Sequence, residues 1–386
     1  MGRMNNTISS QAYTPGLKRK SATIVQQTRR LPISGDVLVK KGDNVEAETI
    51  VARTFIPGNV HVVNVVGLLA IDPWETSRYV LKKEGEKVRE NEPIAMIKSF
   101  FGLSKRYAYS PVEGFVERIS DVTGQVLVRE NPSPLEIDAY IPGRVVEILP
   151  NEGAVVETPA AFIQGIFGVG GERKGQLMTV ASYDELLTAE RIKQECKARI
   201  LVGGALVTGD AIKKATGIGV KGIVSGGIND EDLTNFLGYK IGVAITGHED
   251  VSFTIIITEG FGKMNMSKKT FTLLDEFNGR KASINGATQI RAGVIRPEII
   301  IPRPELKSEE LVKHKEKKEF LEQGLVPGTT IRIIREPFFG ALGTISKLPV
   351  PLRRIETESD VRVLEAELED GRRVIVPRAN VEIIEE

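Results

Sequence analysis

Two stretches of the sequence decide its fold because both are repeated: Lys40-Lys41-Gly42-Asp43-Asn44-Val45 and Gly114-Phe115-Val116-Glu117-Arg118-Ile119. In the first repeat, Gly42, Val45, Val51 and Ala52 have the same spacing along the chain as Gly85, Val88, Ile94 and Ala95. In the second repeat, the spacing of Gly114, Val116, Ile119, Gly124 and Val126 recurs in Gly143, Val145, Ile148, Gly153 and Val155. Short apolar runs between glycine turns are typical of β strands. The paired half-motifs therefore predict two similar β layers around a core of Val and Ile.

The repeated half-motifs resemble the biotinyl/lipoyl family in its broader barrel-sandwich hybrid form. The turn at Gly42 and the stretch Ser110-Pro111-Val112-Glu113-Gly114-Phe115-Val116 carry this likeness. It implies a β barrel-sandwich hybrid over residues 31–158. Carriers of that family attach a cofactor to a lysine at a tight hairpin tip, in a run such as Glu-Ala-Met-Lys-Met. Here Lys98 is not followed by a second methionine, so we expect no attached cofactor.

The hairpin that contains Lys98 continues with aromatic and basic side chains. Its candidate contact residues are Phe100, Phe101, Lys105, Arg106 and Tyr107. Such a mixture suits a surface for a partner protein or for stacked nucleic-acid bases. The same aromatic side chains can instead pack beneath the hairpin, and the sequence leaves both interpretations open.

Residues 325–386 have the pattern of five short strands, and part of this region resembles a KOW motif. The likeness rests on Pro327-Gly328-Thr329-Thr330-Ile331-Arg332 and on the turn around Gly340 and Gly343. It implies a small SH3-like β barrel. KOW domains occur in transcription-elongation factors and ribosomal large-subunit proteins, so the likeness implies contact with RNA, the ribosome or RNA polymerase. Acidic residues outnumber basic ones here, which favours a protein contact over indiscriminate RNA binding.

Residues 1–30 contain basic residues and no acid, which predicts a flexible basic arm. Such an arm is either a solvated tail or a contact to an anion, in nucleic acid or on an acidic protein face. With the C-terminal region it supplies candidate nucleic-acid or partner contacts: Lys18, Arg19, Lys20, Arg29, Arg30, Arg332, Arg335, Arg353 and Arg354.

Residues 181–304 alternate between apolar strands and helical segments. Strands are predicted at 200–202, 222–224, 243–245 and 254–257, and helices at 210–215, at 230–237 and after Ser267. A capping pattern at Ser182 and Glu185 predicts one more helix, which would bury Cys196. The alternation predicts an α/β layer with mostly parallel strands.

The predicted strands of this layer end in glycine and polar residues. Ligands of open α/β sheets bind beyond the carboxyl ends of the strands. The candidate ligand rim therefore consists of Thr208, His248, Glu249, Glu259, Asn285, Gln289 and Arg291. Its acidic side chains suit a cation, an amine or a basic segment of a partner, although carboxylates also cap helices. No second histidine stands at ligand spacing from His248, so we predict no metal site.

Two connectors separate the predicted domains. Residues 159–180 are rich in glycine and admit a phosphate-loop interpretation. Such a loop needs a helix after it, whereas the next residues here have an extended pattern, so a bulged strand or tight connector is the alternative. Residues 305–324 are highly charged and have few apolar positions, which predicts a solvated linker helix.

The composition restricts the classes of function. With 52 Lys and Arg against 51 Asp and Glu, the chain is not expected to bind polyanions through bulk charge. The single Cys196 excludes an internal disulfide and a Cys-rich zinc site. No apolar run reaches the roughly 20 residues of a membrane span, and no secretory signal is visible, which predicts a cytoplasmic protein without a membrane partner.

These features predict a multi-domain α+β protein without a catalytic constellation. We expect a non-enzymatic scaffold that docks onto a protein assembly of transcription or translation, with RNA as a further candidate partner. The alternative is a small-ligand-binding protein or enzyme that uses the rim of the central α/β layer.

Overall fold

The computed structural model describes residues 17–99, 104–240, 247, 249–289, 295–306, 311, 325–354 and 360–385. The chain is mostly β in these residues, and 18 strands join into one large mixed sheet. We divide it into module A (residues 31–56 and 133–158), module B (residues 60–130), the central layer (residues 159–304) and the C-terminal module (residues 325–385). No helix in these ranges is both long and apolar enough to cross a membrane.

Module B is inserted into module A. After β1 (Leu17–Arg30), module A begins with β2 (Asp36–Val37), β3 (Asn44–Val45) and β4 (Ile50–Ile56). Module B follows with β5 (Val60–Asn64), α1 (Val65–Leu69), a 3-10 turn (Pro73–Glu75), α2 (Thr76–Tyr79), β6 (Lys87–Val88), β7 (Pro93–Ser99), β8 (Ser104–Tyr109), β9 (Gly114–Ser120) and β10 (Gln125–Glu130). The chain then returns to module A with β11 (Ser133–Asp138), β12 (Gly143–Leu149) and β13 (Gly153–Gln164). Module B thus occupies the tip of the β4–β11 hairpin, where Ile56 pairs with Ser133.

The two sequence repeats fold into two modules with the same hydrogen-bond pattern. In module A the N–H of Gly42 donates to the Val145 carbonyl at 2.8 Å, and in module B the N–H of Gly85 donates to Val116 at 2.7 Å. The start of β12 pairs with β3, just as the start of β9 pairs with β6. Each module also has its own buried core of mainly Val, Ile and Ala. The predicted β domain over residues 31–158 is therefore nested, with two cores.

The central layer is the α/β part of the fold. Its elements are β14 (Phe167–Val169), β15 (Glu172–Thr179), β16 (Leu186–Leu187), β17 (Arg199–Val202), β18 (Leu206–Val207), α3 (Gly209–Ile218), β19 (Gly222–Ile228), α4 (Asp230–Leu237), β20 (Thr254–Phe261), α5 (Lys268–Glu276), β21 (Lys281–Asn285) and β22 (Glu298–Pro302). Strands β17, β19 and β20 run parallel, as predicted, and β15 from the connector joins them in parallel, but β14, β21 and β22 pair antiparallel with their neighbours. The sheet is buried on both faces, with α3 and α4 on one and α5 on the other. The predicted strand at 243–245 lies outside the described residues.

One local prediction in this region is wrong. Residues 182–196 do not form the predicted helix: they contain β16 and two 3-10 turns, Ala189–Arg191 and Gln194–Cys196. The N–H of Ser182 does donate to Glu185 Oε2 at 2.8 Å, but this bond closes a turn. Pairing of β16 with β18 then overrides the helical spacing. The glycine-rich stretch over residues 159–180 forms the end of β13, β14 and β15, which agrees with the extended alternative and not with a phosphate loop.

Strand β1 corrects the prediction of a flexible basic arm for residues 17–30, whereas residues 1–16 lie outside the described ranges. It is 14 residues long and pairs antiparallel with β13 over most of its length. At its start, Leu17 pairs in parallel with Ile384 of the C-terminal module. Composition could not predict this strand, because its polar side chains form hydrogen bonds and ion pairs with residues far away in the sequence.

The C-terminal module is a five-stranded antiparallel sheet with a small core. Its strands are β23 (Thr330–Ile333), β24 (Leu342–Lys347), β27 (Val363–Leu368), β28 (Arg373–Pro377) and β29 (Val381–Glu385), with a 3-10 turn (Arg378–Asn380) between β28 and β29. Two further short strands, β25 (Arg353–Arg354) and β26 (Asp360–Val361), form a separate pair. The sheet has the order β29-β23-β24-β27-β28. Ile331, Ile345 and Leu364 are central in its core. The predicted linker helix lies almost entirely outside the described residues.

Candidate functional site

The rim residue Glu259 is buried at the end of β20, against the C-terminal module. Its Oε1 accepts a hydrogen bond from the N–H of Ser267 at 2.9 Å, and its backbone carbonyl accepts one from the Arg332 guanidinium. Arg332 lies in β23, is only 2% exposed, and places Nη1 3.5 Å from Glu382 Oε1. Arg296 reaches the other oxygen of Glu382 at 3.3 Å. Four charged side chains thus close this end of the central layer.

Burial opposes the charged forms of Glu259 and Arg332, and the attraction between the two side chains favours them. Burial raises the pKa of Glu259, although the nearby Arg332 charge opposes the shift. Burial also lowers the pKa of Arg332, against the attraction of Glu259 and Glu382. Removal of one partner from such a group leaves an uncompensated buried charge, which is strongly destabilising. Arg332 is therefore part of a junction between modules, and this corrects its assignment to a nucleic-acid-binding face.

Two other rim residues are used as caps of local structure. The Oγ1 of Thr208 accepts a hydrogen bond from the N–H of Ala211 at 3.3 Å and so caps α3. The Oε2 of Glu249 accepts bonds from the N–H groups of Gly170 at 2.9 Å and Gly247 at 2.7 Å. Both side chains satisfy backbone donors that would otherwise lack a partner.

Two further rim residues, Asn285 and Gln289, stabilise the chain after β21. The Oδ1 of Asn285 accepts a bond from the N–H of Ala287 at 3.0 Å, and Gln289 forms an isolated backbone bridge with Ile295. His248 and Arg291 lie outside the described residues. Within the described part of the chain, no group of His, Cys, Asp and Glu side chains could hold a metal ion.

The rim residues that the structure describes do not surround one pocket. Thr208 lines an open cavity of about 540 Å³ between α3 and α4. Glu259 lines a separate cavity of about 20 Å³ beside Arg332, too small for a ligand.

Several predicted basic contacts are also used inside the fold. Arg29 is buried and holds Glu172 through two bonds of 2.6 and 2.7 Å. Arg19 is buried and donates to Ser267 Oγ at 3.2 Å. These two residues are therefore unavailable to a polyanion, contrary to prediction. The side chains of Lys18, Arg30, Arg335, Arg353 and Arg354 are exposed, and that of Lys20 is partly buried.

The β7–β8 hairpin of module B presents part of the predicted contact surface. Lys98 and Lys105 are exposed and pair directly across the two strands. Tyr107 lies next to Tyr109, with 5.8 Å between ring centroids. Arg106 instead donates to the Leu69 carbonyl at 3.4 Å. Phe100 and Phe101 lie outside the described residues.

An open cleft between module A and the central layer is a further candidate binding site. It has a volume of about 1030 Å³ and lies between the Gly42 turn and the start of β12 on one side and the start of β21 and the end of β22 on the other. A second cavity of about 390 Å³ adjoins it and shares Glu46, Pro142, Lys281 and Pro302 with it. We call the two together the basic cleft.

The basic cleft has an excess of positive charge. Seven basic and three acidic residues line it, whereas the whole chain has 52 basic and 51 acidic residues. Four of the basic side chains are exposed and have no ionic partner among the described residues: Lys41, Arg144, Lys197 and Lys281. Sequence reasoning missed this site because its walls come from seven separate segments, and each of them contributes at most two basic residues.

One further buried carboxyl group has an unusual pKa. Glu298 begins β22, and its Oε1 accepts a bond from Gln27 Nε2 at 2.9 Å. Burial, with a smaller contribution from the nearby Glu172 carboxylate, raises the pKa of Glu298 from 4.5 to about 7. Because this carboxyl group is engaged by a side chain of β1, we assign it to the contact between β1 and β22 rather than to a ligand site.

No known protein-family model matches this chain, and no curated protein sequence matches it. The function has to be argued from the geometry of its own surfaces.

Proposed function

We propose that this chain is a non-enzymatic scaffold that docks onto a larger assembly of the cytoplasmic transcription or translation machinery. We infer further that modules A and B are barrel-sandwich hybrids and that the C-terminal module is a KOW-type SH3-like barrel. The repeated hydrogen-bond pattern of modules A and B supports the first inference. The five antiparallel strands of the C-terminal module support the second.

The observation that carries the proposal is the use of Glu259 inside the protein. A catalytic or ligand-binding rim needs polar groups that point at the ligand and are not already engaged. Glu259 is instead covered by the C-terminal module, and Thr208 and Glu249 hold backbone N–H groups. The ends of the parallel strands therefore serve as a joint between modules, which favours the scaffold over a rim enzyme.

Sedimentation of native extract tests the docking role. The tagged chain is expected to travel through a density gradient with ribosomal subunits or with RNA polymerase, because a scaffold spends its time bound to its assembly. Western detection across the gradient measures this. A chain that stays at the top of the gradient, under salt conditions that keep these assemblies intact, contradicts the proposal.

Substitution Glu259→Gln tests the structural role of the rim. We expect it to lower the free energy of unfolding by roughly 1–3 kcal/mol, because the amide can still accept from the Ser267 N–H but no longer compensates the charge of the buried Arg332. The matched control is Asp210→Asn, which removes an exposed carboxylate at the start of α3 and is expected to have little effect. A Glu259→Gln variant that melts like wild type but loses a small molecule present in the native preparation would favour the rim enzyme.

A further inference from the structure

We propose that the basic cleft binds an extended acidic peptide segment of a partner protein, in which Asp or Glu residues alternate with apolar ones. This inference rests on the proposed scaffold function and names the chemistry of one docking contact. It does not involve the rim of the central layer, the β7–β8 hairpin or residues 1–30.

The charges of the basic cleft point to an anionic occupant. Lys41 and Arg144 stand on the module A side, and Lys281 stands opposite them at the start of β21. Lys281 also lines the adjoining cavity, where Lys197 follows. The remaining basic residues are already engaged: Arg280 and Lys174 form ion pairs with Glu305 and Asp138, and Arg199 donates a hydrogen bond to the side chain of Gln176. The four unpaired cations thus extend through both parts of the cleft.

The acidic residues of the cleft do not neutralise these cations. Glu157 lies opposite Arg144 in the β12–β13 register, but its Oε2 accepts a bond from Gln26 Nε2 at 2.7 Å. Glu46 and Glu48 are exposed at one edge and form no ion pair within the residues that the structure describes. An anionic ligand would therefore meet cations that need no prior release from a carboxylate, which favours binding.

The apolar lining distinguishes a peptide from a nucleic acid. Four prolines line the cleft, together with Leu306: Pro142, Pro159, Pro302 and Pro304. Proline has no N–H to donate, so these positions offer apolar surface and cannot add a strand to the sheet. Among the residues that the structure describes, no aromatic side chain lines either part of the cleft, so bases would find no ring there on which to stack. Apolar walls with cations between them suit a peptide that has both acidic and apolar side chains.

The walls of the cleft are held rigidly by the sheet. On one side, Gly42 and Asp43 exchange backbone hydrogen bonds of 2.8 Å with Val145. On the other side, β21 pairs with both β15 and β22. A preformed site loses little conformational entropy when it binds, so even an exposed set of cations contributes to affinity.

Fluorescence anisotropy with purified full-length chain tests the proposal. The probe is a fluorescein-labelled peptide that alternates pairs of Glu with single Leu residues, and the matched probe has Gln in place of every Glu. The test variant combines Lys41→Gln, Arg144→Gln and Lys281→Gln. The control variant combines Lys83→Gln, Lys87→Gln and Lys193→Gln, which removes the same charge from exposed lysines outside the cleft.

We expect the acidic peptide to bind wild type and the control variant, and the test variant to bind about tenfold more weakly. The Gln peptide should bind all three proteins weakly. Equal binding to the test and control variants, or no binding of the acidic peptide to wild type, overturns the proposal. A labelled oligouridine that binds wild type more tightly than the peptide, and loses affinity in the test variant, would overturn it in favour of a nucleic-acid site.

The gradient experiment separates this inference from the scaffold proposal. If the test variant fails to bind the peptide and no longer travels with the assembly, the cleft is a docking contact. If wild type does not bind the peptide but still travels with the assembly, the cleft inference fails and the scaffold proposal stands.

Discussion

Modules A and B have the same half-motifs and the same turns, yet they present different surfaces. At the position of Lys41 in module A, module B has Glu84, whose Oε1 accepts a bond from the N–H of Ile119 at 2.8 Å. At the position of Arg144, module B has Phe115. The repeat therefore specifies the backbone of both modules. The residues that differ between the two turns decide whether a side chain bonds within its own module, as Glu84 does, or faces a cleft, as Lys41 does.

The two modules also differ in what surrounds them. Module A shares β13 with the large sheet, where it pairs with β1 and β22. Module B forms its own sheets, with the order β5-β10-β9-β6 in one and β7-β8 in the other. Module B also exposes the only tryptophan of the chain, Trp74, at 71%. We therefore expect mutations at the edge of module A to affect the central layer, and mutations in module B to remain local.

The largest expected effect comes from Arg29→Ala. It removes both bonds to Glu172 and one to the Asp138 carbonyl, and leaves a partly buried carboxylate without its partner. We expect a loss of about 3 kcal/mol in unfolding free energy. Hydrogen exchange followed by mass spectrometry should show faster exchange in β13 and β15, with β9 and β10 of module B unchanged.

The neighbouring substitution Arg30→Ala is the matched control. Arg30 forms an exposed pair with Glu152 at 2.9 Å, so its loss should cost less than about 1 kcal/mol. Faster exchange in module B with Arg29→Ala would contradict the independence of the two modules.

Equivalent glycines offer a second test of the comparison. A Cβ at Gly153 of module A would lie 1.8 Å from the backbone oxygen of Arg29, which cannot move without shifting β1. A Cβ at the matching Gly124 of module B would lie 1.8 Å from Val66 Cγ2, which can rotate away, and 2.8 Å from Val66 Cβ, which requires a smaller shift of the backbone; the φ of +70° also disfavours alanine. We expect Gly153→Ala to cost about 3 kcal/mol and Gly124→Ala about 1–2 kcal/mol. Urea unfolding measures both, and the reverse order would refute the argument.

The raised pKa of Glu298 predicts a pH dependence at the edge of module A. Its folded pKa of about 7 lies above the ordinary value of 4.5, so the folded state holds the proton more tightly than the unfolded state. Its contribution to stability is therefore fully present below pH 4.5 and is lost as pH rises towards 7. We expect Glu298→Gln to be more stable than wild type by about 2 kcal/mol at pH 8 and to differ little at pH 4. Thermal unfolding at both pH values measures this, and equal differences at both would contradict it.

The smallest expected effect comes from the position that distinguishes the two turns. Glu84→Gln weakens a charge-assisted bond in module B and should cost about 1 kcal/mol. Lys41→Gln removes an exposed positive charge that has no ionic partner in the described residues. The stability of this variant should therefore not change, while its binding of the acidic peptide should weaken. Melting temperatures and anisotropy of the two variants measure the contrast. A destabilised Lys41→Gln variant would show that this lysine has a structural role.

Much of the fold follows from local signals. The glycine and valine offsets predicted the strands of modules A and B, and Asp210 and Asp230 lie in the first turns of α3 and α4, near their predicted starts. The helix predicted at Ser182 failed because β16 found a partner in β18. The candidate rim was predictable as a set of residues at strand ends, but the cover formed by the C-terminal module was not.

The sequence by itself determined the repeats, the turns and the apolar faces of the strands, because these depend on residues close together in the chain. Only the tertiary structure decided that β1 is a strand and not an arm, that Glu259 faces Arg332 across two modules, and that Lys41 and Lys281 line one cleft. Each of these results joins residues far apart in the sequence. Burial and charge pairing act on distances in space, and composition or spacing along the chain does not record those distances.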